Sequence, residues 1–222
     1  MSNTQKLKQR RRYDAAPAQP TRPFWQSPIV WIFGLVAVAL IATIALTAGD
    51  GSTEGVAETA FAEVIGTPLP QLTSPDGAIG QIVPTIVGQT FDGEDVRIDP
   101  GGNARLYGFF AHWCPHCQAE LPRTTEWLES NDLPDGVEVV AVSTGVERTA
   151  ANYPPSEWFA REEWPATVVV DDASSPLAAG FGLTGFPYWV ATDDTGAVVL
   201  RVSGEMTTSQ FESVIDFITP ER

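Results

Sequence analysis

The sequence predicts an α/β domain, a mixed central sheet flanked by helices, preceded by one transmembrane helix. Three observations predict it. Strand-like apolar runs alternate with helix-like stretches through residues 81–220 and end in a hairpin and an amphipathic helix. A Cys-x-x-Cys pair, Cys114 and Cys117, stands where one buried run gives way to a helix. Ahead of all this, Ile29 to Ala48 runs for twenty residues without a charge.

That N-terminal run is ~30 Å long as a helix, the thickness of a bilayer's hydrocarbon core. Phe24, Trp25 and Trp31 stand where an interfacial aromatic belt lies. Lys6, Lys8, Arg10, Arg11, Arg12 and Arg22 precede it against a single acid, Asp14. This asymmetry orients the N-terminus to the cytoplasm. The expected plan is a basic cytoplasmic tail at 1–28, a transmembrane helix at 29–48, an extracytoplasmic linker at 49–80 rich in Gly, Ser, Thr, Pro and acids, and a folded domain at 81–222. The expected location is the cell membrane, single-pass, with the domain in the extracytoplasmic part of the envelope. A cleaved signal peptide is the competing reading. Against it, the run exceeds a signal core of roughly 7–15 residues, and Leu46 would fill the −3 position for cleavage after Ala48. No cysteine lies near its end for lipoprotein processing.

Charge divides the chain. Net charge is −15, with 13 basic and 28 acidic residues; six of the bases and one acid fall in residues 1–27, so the remainder carries 7 − 27 = −20. Such acidity argues against nucleic acid and against docking on anionic lipid, and it suits solubility outside the cytoplasm. That compartment is also where disulfides persist.

Within the domain, Thr90 to Ile98 with its Asp92-Gly93 turn predicts a β-hairpin. Arg105 to Ala111 reads as a buried strand, and Cys114 to Ser130 as a helix bent at Pro122. Val137 to Ser143 is nearly all apolar, as a central parallel strand requires. Pro155 to Glu163 predicts a short helix, Ala166 to Val170 a strand, and Pro176 to Phe181 a helix ended by Gly182. Tyr188 to Thr192 and Ala197 to Ser203 flank Asp193-Asp194-Thr195-Gly196 as a hairpin. Thr207 to Ile218, with Phe211, Val214, Ile215 and Ile218 on one face, closes the chain as a helix.

The chain has only two cysteines, so the natural disulfide is the short one, Cys114–Cys117. A loop closed by two residues constrains the unfolded chain little, which makes that bond chemistry rather than scaffolding. At a helix start, unpaired N–H groups and the positive end of the dipole favour the Cys114 thiolate, and Pro115 suits the first turn. Zinc is disfavoured, because His112, Cys114, His116 and Cys117 crowd into six residues and structural sites bring a second ligand pair from a distance. A structural disulfide normally closes a longer loop.

The segment Phe109-Phe110-Ala111-His112-Trp113-Cys114-Pro115-His116-Cys117, its continuation Gln118-Ala119-Glu120-Leu121-Pro122, and Thr184-Gly185-Phe186-Pro187 resemble the thioredoxin superfamily, in particular membrane-anchored extracytoplasmic proteins of the TlpA/ResA type. The resemblance covers residues 81–220 and implies a thioredoxin-like fold and a thiol–disulfide oxidoreductase. It implies Cys114 as nucleophile, Cys117 as resolving thiol, and Pro187 as a cis-proline against the pair. Trp113 and Phe186 would line an apolar groove for a substrate's extended chain. Pro115-His116 is similar to the dipeptide of DsbA-type oxidases, with His116 stabilising the thiolate and so making the disulfide more oxidising. His112 reads as a surface-loop residue without a role. The family's buried acid is missing, since Gly108 stands in its place. No cofactor or metal is expected beyond the redox-active disulfide. Expected partners are thiols of exported proteins and an unidentified membrane redox partner. The expected direction is formation or rearrangement of disulfides, with ResA-type reduction in cytochrome c maturation, or a non-enzymatic envelope module with a structural disulfide, as alternatives.

Overall fold

The computed structural model describes residues 57–220. The tail at 1–28, the transmembrane helix at 29–48 and the linker's residues 49–56 lie outside the described residues. Among the described residues, no helix is long and apolar enough to cross a membrane.

The elements run β1 (Glu63–Ile65), β2 (Thr85–Gln89), β3 (Asp95–Ile98), β4 (Ala104–Phe110), α1 (Pro115–Ser130), β5 (Val137–Ser143), α2 (Pro155–Arg161), β6 (Thr167–Val170), α3 (Pro176–Gly180), β7 (Tyr188–Thr192), β8 (Val198–Ser203) and α4 (Thr208–Ile218). They build one sheet in the order β1-β2-β6-β5-β4-β7-β8, with β3 paired to β2. β4, β5 and β6 are mutually parallel, and β7 and β8 add antiparallel beyond β4.

β4 is apolar at almost every position because both of its faces are covered. Successive side chains point to opposite faces. Leu106 and Phe110 therefore meet Trp189, Leu121 of α1, and Phe211 and Ile215 of α4 on one face. Tyr107 and Phe109 meet Val140, Val142, Leu177 and Phe181 on the other. Each large apolar side chain so buried contributes roughly 1.5–3 kcal/mol by leaving water. This is the mixed sheet with helices on both faces that the sequence predicts.

Two expectations change. The hairpin begins earlier than Thr90: its strands are β2 and β3, and Asp92-Gly93 lies in the turn between them, where Thr90 N–H donates to Glu94 O at 2.9 Å. The larger change concerns the linker. Residues 57–80, whose composition reads as a tether, fold onto the domain, with Glu63–Ile65 pairing to β2 and Ala62, Leu69 and Ala78 buried. The physical reason is the guanidinium of Arg201 in β8, whose side chain is wholly buried. It forms a bidentate pair with Asp76 and donates to Pro70 O at 2.8 Å. Val64 adds a close approach to α3: a Cβ on Gly180 would lie 2.7 Å from its Cγ1, so glycine makes room for the segment.

Candidate active site

β4 ends at Phe110, and the chain turns through Ala111-His112-Trp113 before α1 begins at Pro115. The Cys114 N–H donates to Ala111 O at 3.0 Å, and Cys114 O accepts from Gln118 N–H at 3.0 Å. Cys114 is thus the N-cap of α1, and no side chain caps this end. Its first-turn N–H groups and the positive end of its dipole are left beside Sγ.

Cys114 is only 5% exposed, and its Sγ lies 3.7 Å from Phe186 O. The Phe186–Pro187 peptide bond is cis. Trp113 donates from Nε1 to Gly145 O at 2.7 Å and meets the Phe186 ring edge-on at 5.8 Å. Cys117, three residues into α1, is fully buried. Burial drives its thiol well above the ordinary range, and the neighbouring charges of Cys114 and Glu120 push the same way.

Glu120 follows Cys117 by three residues and so lies one turn along the same helix face. It is 1% exposed. Its Oε1 accepts from Trp189 Nε1 at 2.9 Å and from Met206 N–H at 3.1 Å, while Oε2 is buried without a partner. Burial pushes its carboxyl up to about 7, against the hydrogen bonds from Met206 and Trp189. A carboxyl that titrates near neutrality beside a buried thiol is an acid–base group in waiting. Trp189 also accounts for Gly108, its register partner across β4 and β7. A Cβ on Gly108 would lie 2.5 Å from the indole, so the ring occupies the space where an acid from β4 would stand. A buried acid, Glu120, stands instead on α1.

His116 is at the rim. Its side chain is 69% exposed and its Nδ1 lies 2.9 Å from Glu205 Oε2. Glu205 Oε1 also accepts from Arg123 Nη2 at 2.7 Å. Arg123 first and His116 second hold the Glu205 carboxyl below its usual range.

His112 is not on the surface. It is 1% exposed. Nδ1 lies 2.7 Å from Ala151 O, which only accepts, and Nε2 lies 3.1 Å from Glu147 N–H, which only donates. These partners fix the neutral Nδ1–H tautomer. The His112 carbonyl accepts from Gln118 Nε2 and Asn152 Nδ2. His112 therefore pins the 147–152 loop to the active-site turn, a role its position in the turn did not suggest.

The structure brings Trp113, Cys114, Cys117, Phe186 and Pro187 together and leaves His116 at the edge. Glu120 is the residue that sequence reasoning passed over. Its signal was present: an acid three residues after the second cysteine, on the face of the helix that also carries Leu121 inward.

The AhpC/TSA family model matches residues 79–201. The chain is 26% identical over 143 residues to the thiol-disulfide oxidoreductase ResA of Bacillus thuringiensis, covering 64% of this chain and 79% of that protein. It is also 26% identical over 133 residues to a probable nucleoredoxin 1 of Arabidopsis thaliana, of which it spans 22%. Among solved structures, MTB DsbF, in mixed oxidised and reduced forms, superposes with a TM-score of 0.50 at 27% identity, over 60% of this chain and 94% of that one.

Proposed function

The chain belongs to the AhpC/TSA family, and we propose that it is a thiol–disulfide oxidoreductase of the ResA type, reducing disulfides in polypeptides. One observation carries the reading: a helix-capping cysteine that keeps 5% of its surface open, a fully buried partner three residues on, and a buried carboxyl with a free oxygen one turn further. The Cys114 thiolate attacks one sulfur of a substrate disulfide. That S–S bond breaks, a mixed disulfide forms, and the first substrate thiolate leaves and takes a proton from water. Cys117 then gives its proton to the Glu120 carboxylate and attacks Cys114 Sγ. The second substrate thiolate leaves and is protonated, so the substrate gains two electrons and two protons while the Cys114–Cys117 disulfide forms. A membrane redox partner must return the pair to the dithiol.

The reducing direction is supported by the similarity to ResA and by His116, which lies at the rim with its Nδ1 on Glu205 rather than on Cys114. The potential should lie nearer the ~−270 mV of thioredoxin than the ~−120 mV of strong oxidases. The Pro115-His116 pair itself favours a second reading, oxidation of exported thiols. A potential near −120 mV, as for a strong oxidase, that falls in His116→Pro would decide for it.

Mixed-disulfide trapping tests the roles. Cys117→Ser should accumulate adducts with polypeptides because nothing resolves them, and Cys114→Ser should not; the reverse pattern would exchange the two assignments. The location we propose is a single-pass anchor at 29–48 with the domain outside the cytoplasm, supported by the uncharged run and the basic residues before it. Protease added to intact cells should cut after Gly49 and leave residues 1–28 protected; cutting of that tail would reverse the orientation.

A further inference from the structure

Beside Trp113 an open cleft of about 670 Å³ is lined by Trp113, Gly145, Val146, Glu147, Ala150 and Ala151. We propose that it is a subsite for a lysine or arginine side chain next to the reactive cysteine of the polypeptide substrate; this rests on the oxidoreductase reading above. Position comes first. Trp113 immediately precedes Cys114, and an extended chain advances ~3.3 Å per residue, so a substrate whose sulfur meets Sγ lays an adjacent residue over the cleft.

Chemistry selects the occupant. The lining offers an indole 37% exposed, small apolar side chains, and one charge, the carboxylate of Glu147. Among the described residues no cation pairs with Glu147, whose Oε1 accepts only from Thr149 N–H and Oγ1, and Arg148 does not line the cleft. A long basic side chain lays its methylene stem on the apolar wall and its charged head against the indole and the carboxylate. The wall is fixed rather than loose. His112 Nε2 holds the Glu147 N–H, and Trp113 Nε1 holds Gly145 O. The net −20 of the chain beyond residue 27 draws basic segments toward it from a distance.

The test uses the full chain in neutral detergent, reduced beforehand, in single turnover. Substrates are symmetric disulfides of short peptides whose cysteine is flanked by Lys, Ala or Glu. Each turnover moves two electrons from the Cys114–Cys117 dithiol to one peptide disulfide and releases two peptide thiols. The Lys peptide should react about fivefold faster than the Ala peptide, the size of an exposed cation–π contact joined to a surface ion pair. The advantage should shrink in 1 M salt, where screening acts within ~3 Å. In Glu147→Gln the Lys-to-Ala ratio should fall toward one, and in Glu147→Lys the Glu peptide should become the faster. Equal rates in the wild type, or a ratio unchanged in Glu147→Gln, would overturn the subsite. The two failures separate through 2-hydroxyethyl disulfide, a neutral disulfide that needs no subsite. Wild-type exchange with it alongside equal peptide rates rejects the subsite alone, and no exchange with any disulfide rejects the oxidoreductase reading.

Discussion

Burial of Glu120 bears on the stability of the domain and, in the proposed mechanism, on its chemistry. Its carboxyl moves from an ordinary 4.5 to about 7 because burial disfavours the charged form. The folded protein therefore binds the proton more tightly than the unfolded chain, and stability from this group is fully present below pH 4.5 and lost as pH rises toward 7. The shift corresponds to roughly 3 kcal/mol. Glu120→Gln removes the titration, so urea unfolding should show the variant gaining on the wild type by about that amount between pH 5 and pH 8. Stability curves that stay parallel would mean that the carboxyl is not shifted. In the same variant the resolving step should slow and lose its rise near neutral pH, because Cys117 then lacks its proton acceptor.

At the scale of elements, the site depends on how β7 crosses β4. Trp189 lies over Gly108 and donates to Glu120, so one indole fills the sheet face and orients the acid. Gly108→Ala forces a methyl within 2.5 Å of a rigid buried ring. Overpacking of this kind should cost about 2 kcal/mol in urea unfolding, and the pH at which Glu120 titrates should shift with the displaced indole. Less than 0.5 kcal/mol, well below the overpacking range, would show that β4 and β7 part freely. The helices were more legible than this contact. Thr207 caps α4 with a reciprocal Gln210 box, and α1 runs through Pro122, which leaves the Gln118 carbonyl without a helical N–H partner.

For the molecule as a whole, the segment before β2 belongs to the domain. Asp76 holds it to Arg201, and removing one partner of a buried pair strands the other's charge. Asp76→Ala should destabilise the domain by about 3 kcal/mol and open residues 66–80 to limited proteolysis. Unchanged resistance would show that β1 and the buried Leu69 suffice. Composition hid this segment, since its anchors are a few scattered apolar residues and one ion pair with a partner 125 positions away.

The sequence by itself determined the alternation of strands and helices, the central parallel strand β5, the C-terminal hairpin and last helix, and the cysteine pair at a helix start. These are local signals: periodicity, turn residues, caps and spacing act between near neighbours. The tertiary structure alone decided which acid is buried on the Cys117 side of α1, where His112 and His116 point, and that residues 57–80 join the sheet. Those outcomes depend on burial and on partners far apart in the chain, and burial is a property that no residue has until the rest of the fold surrounds it.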